Sequence, residues 1–92
     1  MLTGAELEDC SVHIVEISSD SRTHYHQAHR EVYVVLRGHG QIELNDERWK
    51  LREGAMVVIP AGTRHRAVPG EGGLTIVNLV QPPFDPEDEY HD

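Results

Sequence analysis

His24 and His26 stand two residues apart in THYH, Glu31 heads the apolar run EVYVVL, and His65 follows 34 residues later in GTRHRAV. On an extended strand alternate side chains share a face, so His24 and His26 project to the same side as a pair of imidazole donors. A carboxylate leading so apolar a run is costly to bury unless something cationic meets it. Three neutral imidazoles and one carboxylate suit one divalent transition metal (Mn, Fe, Ni, Co, Cu or Zn) and are too rich in nitrogen for Mg or Ca. Each residue alone reads equally well as a solvated or hydrogen-bonded side chain, and it is the set of four that points to a metal.

Two further residues are weaker catalytic candidates. Tyr33 shares the inward face with Glu31 by alternation and offers a hydroxyl to a bound ligand, although packing is the commoner fate of a strand tyrosine. His29 lies in the loop between ligands, where a solvent-exposed or ligand-supporting role outranks ligation. His13, His39 and His91 have no partner at a useful spacing. Cys10 is the single cysteine, so no internal disulfide forms, which fits a reducing compartment. Its neighbours Glu8 and Asp9 raise a thiol pKa where a nucleophile needs it lowered.

The elements that must position these groups are short and rich in Val and Ile: 12–18, 23–26, 31–37, 41–44, 48–51, 55–59, 64–68 and 74–80. Gly38 and Gly40, Asn45 with Asp46, Gly54, Pro60 with Gly62, and the cluster 69–73 break them at turn-forming residues, the rhythm of an all-β sandwich or barrel. Only Ala5 to Cys10 offers a short helical turn. Alternation directs Glu31, Tyr33, Val35, His65 and Ala67 inward, and Val32, Val34, Leu36, Arg64 and Arg66 outward. Ile42 and Leu44 form one face of their segment and Gln41 and Glu43 the other. Trp49 and Leu51 are expected to cover one end of the core, and Met56 to lie within it. The outward row Val32, Val34, Leu36 is hard to leave wet, which predicts a homodimer.

Ninety-two residues make a single domain, 1–92, with the barrel over about 12–81 and an acidic, proline-rich tail at 82–92. The tail is expected to be solvated or partly packed, with closure over the barrel mouth as the alternative and Phe84 as its anchor. Sixteen acidic against eight basic residues give a formal charge of −8, which repels phosphate backbones and anionic membranes. No run approaches the length of a membrane span and the N-terminus lacks the features of a signal peptide, so a cytoplasmic protein is expected, with neither nucleic acid nor membrane as partner.

These residues resemble the two motifs of the cupin superfamily: His24, one residue, His26, four residues, Glu31, six residues, Gly38; then Gly54, five residues, Pro60, one residue, Gly62, two residues, His65. Residues 39–53 separate the motifs, a spacing similar to that of small single-domain cupins, and the resemblance covers about 18–69. Ser18 and Pro69 stand where the family pattern carries Gly and Asn, at motif edges that hold no metal ligand. The resemblance implies a double-stranded β-helix, a jelly-roll barrel, with His24, His26, Glu31 and His65 around one metal. It further implies a metalloenzyme acting on a small oxygen-bearing substrate, by isomerase, lyase or dioxygenase-type chemistry. The alternative is a non-catalytic module that senses or stores a small molecule or metal. The motifs name the site and leave the reaction open.

Overall fold

The computed structural model describes residues 4–6, 9–19, 23–83 and 85–91. Six strands follow in order: β1 Gly4–Glu6, β2 Ser11–Ile17, β3 Arg30–Leu44, β4 Glu47–Leu51, β5 Met56–Ile59 and β6 His65–Gln81. All neighbours are antiparallel, in the order β1-β2-β6-β3-β4, with β5 also on β3. No helix among the described residues is long and apolar enough to cross a membrane.

The architecture rests on two long bent strands. The first half of β3 pairs with the second half of β6 and with β5, whereas its second half pairs with the start of β6 and with β4. The chain thereby folds one sheet over on itself as a double-stranded β-helix, as the motifs implied. Tyr33, Val35, Ile42, Leu51, Ile59, Leu74 and Ile76 fill the space between the two halves. The expected break at Gly38 and Gly40 is a bend, with register shifts on both sides of it, and β3 continues through. Gly38 holds φ at +90°, and a Cβ there would meet the Gly73 carbonyl oxygen at 2.1 Å, so the bend requires glycine. The cluster 69–73 likewise stays within β6, because pairing with β3 outlasts its turn-forming residues.

Alternation is obeyed along β3: Glu31, Tyr33 and Val35 are buried, and Leu36 is exposed. Four expectations fail. Residues 4–6 form an edge strand on β2 in place of a helical turn at Ala5 to Cys10, since β2 offers hydrogen-bond partners that one isolated turn of helix lacks. Met56 is 68% exposed, because it pairs opposite outward-facing Val34 while Ile59 lies opposite inward-facing Glu31. Trp49 is 55% exposed, because β4 is an edge strand of which Leu51 alone is buried. Residues 23–26 make bridges only at His24 and Tyr25 instead of a strand. Phe84 lies outside the described residues.

Candidate metal centre

Each candidate ligand is fixed by backbone pairing. His24 and His65 are cross-strand partners whose N–H groups donate to each other's carbonyls at 3.0 and 2.8 Å, leaving their rings 4.2 Å apart between centroids. The turn before His65 passes through Gly62, at φ +82°, whose N–H donates to the His26 carbonyl at 2.6 Å and ties the two motifs together. Glu31 enters β3 between Ile59 of β5 and Val80 of β6, and its side chain is buried.

The ring orientations follow from hydrogen bonds on the far side of each imidazole. His65 Nδ1 donates to the Thr63 carbonyl at 3.0 Å and His26 Nδ1 to the Asp88 carbonyl at 2.5 Å. A carbonyl can only accept, so each Nδ1 carries a proton and each Nε2 is left with its lone pair. Both lone pairs aim at Glu31 Oε1, at 3.0 Å from His26 and 3.3 Å from His65. Glu31 Oε2 accepts from Asn78 Nδ2 at 2.6 Å, which sets the plane of the carboxylate.

Glu31 Oε1 and His65 Nε2 are buried without a hydrogen bond among the described residues. Three acceptor atoms converging without a donor require a positive species between them, either a proton or a cation. Two donors each about 2.1 Å from one ion and about 90–109° apart lie about 3.0–3.4 Å from each other. The His26–Glu31 and His65–Glu31 separations fall in that range. His24, His26 and His65 each offer a ring nitrogen, all within 4.8 Å of one another. The residues present therefore fit a transition metal.

The electrostatics agree. Burial works to raise the Glu31 carboxyl, but the facing His26, His65 and Asn78 outweigh it and hold the group well below the usual carboxylate range. Glu31 in turn raises His26, against the effect of burial. Burial, with the charges of Glu31 and Glu89, pushes the Tyr33 phenol far above its ordinary value.

His29, expected to be solvent-exposed or ligand-supporting, is buried: Nε2 donates to the Pro83 carbonyl at 3.0 Å and Nδ1 lies 3.0 Å from Asp88 Oδ2. Burial excludes the solvent-exposed alternative. Arg64 and Arg66 stay outside, Arg64 over the Tyr25 ring and Arg66 bonded to Glu43. Sequence reasoning missed Asn78 and Asp88. Asn78 left a trace, since alternation in LTIVNLV puts one polar residue on the face of Leu74, Ile76 and Val80. Asp88 left none, lying 57 positions from Glu31 in a tail without periodicity.

A bent double-stranded β-helix with an inward cluster of three histidines and a glutamate defines a class of small barrel proteins. Residues 11–79 match the family model described as a cupin domain, and the chain belongs to that family. It is 32% identical over 76 residues to an uncharacterized protein of Methanocaldococcus jannaschii, covering 82% of this chain and 61% of that protein's length. A crystal structure of a protein from Planctomyces limnophilus is 46% identical, with a TM-score of 0.82 over 89% of this chain and 70% of that one. KdgF from Halomonas sp. is 28% identical, with a TM-score of 0.82 over 88% of this chain and 76% of that one.

Proposed function

We propose that His24, His26, Glu31 and His65 hold one divalent transition metal and that the protein is a metalloenzyme acting on a small oxygen-bearing substrate. One observation carries this reading: Glu31 Oε1 and His65 Nε2 are buried without a hydrogen bond among the described residues, and His26 Nε2 and His65 Nε2 both meet that Oε1 at metal-ligand separations. When bound, such an ion supplies Lewis-acid or redox chemistry. Thr63 and Asp88 hold the two imidazole tautomers through their carbonyls, and Asn78 holds the carboxylate, so the donor set is organised before any ligand arrives. Tyr33 keeps its hydroxyl proton at physiological pH and serves as a hydrogen-bond donor, not as a base. His29, engaged by Pro83 and Asp88, supports His26 more readily than it moves a substrate proton. With Arg64 and Arg66 turned outward, the site favours an uncharged or singly charged substrate over a phosphorylated one.

The same reading includes a homodimer. The register lines up Val58, Val32, Leu79 and Val12 in one row across four strands, and Met56, Val34, Val77 and Ile14 in the next. These are the positions opposite the core, and such an apolar outer face is stabilised by a second copy.

The test is product formation or oxygen uptake across a panel of small diols, keto acids and sugars, with protein prepared without an affinity tag and assayed for bound metal. Turnover that disappears in His65→Ala supports the enzyme reading. Saturable binding of metal and ligand with no turnover would replace it with a binding module, and absence of metal after reconstitution would remove the site.

A further inference from the structure

The tail after β6 makes contacts that neither a solvated extension nor the four-ligand site requires. Asp88 is buried, and its carboxylate accepts three successive backbone N–H groups, from Gln27 at 3.1 Å, Ala28 at 2.9 Å and His29 at 3.1 Å. These residues form the loop joining His26 to Glu31. The carbonyl of the same residue accepts the Nδ1 proton of His26. Two residues further on, Tyr90 and Tyr25 exchange both backbone hydrogen bonds at 3.0 Å and stack their rings, 5.4 Å apart between centroids. Glu89 brings Oε1 to 4.0 Å from His24 Nε2, and His91 donates from Nδ1 to the Thr23 carbonyl at 3.2 Å.

We propose that residues 85–91 form a strap that organises the metal ligands, with Asp88 as its positioning residue. The inference rests on the metal reading above. A loop whose consecutive N–H groups converge on one point has no strand partner to satisfy them, and a carboxylate there fixes its path. Asp88 thereby sets two things at once: where the loop delivers Glu31, and which nitrogen of His26 keeps its lone pair for the metal. A histidine ligand held by a carbonyl on its other nitrogen is oriented and made more basic, and loss of such a partner typically lowers metal affinity 10–100-fold. The strap also explains why His26, His29 and Asp88 cluster closely enough to resemble a second metal site. The Asp88 carbonyl occupies His26 Nδ1 and the Pro83 carbonyl occupies His29 Nε2, which leaves His29 Nδ1 facing Asp88 Oδ2 at 3.0 Å.

The probe is Co²⁺ alone, followed by its visible spectrum and by competition with a chelator, on the full-length protein. Asp88→Ala is expected to weaken Co²⁺ binding by about 10–100-fold and to alter the visible bands, as His26 leaves its orientation. Asp88→Asn retains an acceptor oxygen for the loop and is expected to recover most of that loss, which a general destabilisation would not do. Backbone amide exchange supplies a measurement that needs no variant: metal binding is expected to increase protection at Asp88 and Tyr90, because coupling between strap and site is reciprocal. Wild-type affinity and spectrum in Asp88→Ala, or tail amides exchanging at unfolded rates with and without metal, would overturn the strap while leaving the metal site intact. Failure of the wild-type protein to bind Co²⁺ would remove the metal reading itself, and the strap with it.

Discussion

Glu31→Gln separates the two roles of the buried carboxylate. In the metal-free chain the change removes a buried negative charge, and the new side chain still accepts from Asn78 while its amide donates to a histidine lone pair. The melting temperature without metal is expected to fall, because His26, His65 and Asn78 favour the ionised carboxyl that glutamine lacks, and in addition the metal loses its only anionic ligand of the four. At a free metal concentration of 100 Kd, binding stabilises the wild-type fold by about 2.7 kcal/mol. For a domain of this size about 1 kcal/mol corresponds to about 4–8 °C, so the wild-type melt is expected to rise by about 10–20 °C. Taking the upper end of the 10–100-fold loss seen for supporting groups as a lower bound for a ligand, the variant at that concentration is stabilised by about 0.4 kcal/mol, or about 2–3 °C. The assay is thermal unfolding with and without Mn²⁺, Co²⁺, Ni²⁺ and Zn²⁺ at matched concentrations. An equal upward shift in both proteins would refute the reasoning, because the metal would then bind without Glu31. A metal-free variant as stable as wild type would refute its other half, by showing that His26, His65 and Asn78 do not stabilise the ionised carboxylate.

Three more outcomes follow from the same structure. Gly38→Ala places a Cβ 2.1 Å from the Gly73 carbonyl at φ +90°, and is expected to cost about 2–4 kcal/mol by chemical denaturation; a change under about 0.5 kcal/mol would show that the bend tolerates side chains. Met56→Glu with Val34→Glu is expected to convert a dimer to a monomer in size-exclusion chromatography with light scattering at micromolar concentration, and a wild-type monomer would exclude the interface. Glu43 is held below the usual carboxylate range by its hydrogen bond to Arg66 and by Arg48, against a smaller effect of burial. Its contribution to stability is thus present above the unfolded-state value and lost as pH falls through the folded one. The melting difference between wild type and Glu43→Gln is expected to be small at neutral pH, to vanish in acid and to shrink with salt, and a difference independent of pH would contradict the pairing.

Much of the barrel was legible because burial follows the period-2 alternation: Glu31, Tyr33, Val35, Ile42, His65 and Ala67 all lie on the face that alternation assigns. Glycines were read less well, since Gly38 signals a left-handed backbone but not whether the strand stops there or bends. Met56 and Trp49 failed because hydrophobicity says that a residue avoids water and not which covering it finds; one lies on an outer face and the other on an edge strand. The proposed ligands were legible as a spaced set of uncommon donors. Asp88 was not, because its role depends on the return of the tail to a loop 59 to 61 positions earlier, and no local pattern encodes that contact.

The proposed site stands on the location of the metal. Anomalous X-ray scattering collected above the absorption edge of the metal carried by tag-free protein, or of Co²⁺ supplied to it, tests that location directly. One peak per chain is expected, within about 2.0–2.3 Å of ring nitrogens of His24, His26 and His65 and of Glu31 Oε1. A peak among His26, His29 and Asp88 instead, or none at saturating metal, would contradict it.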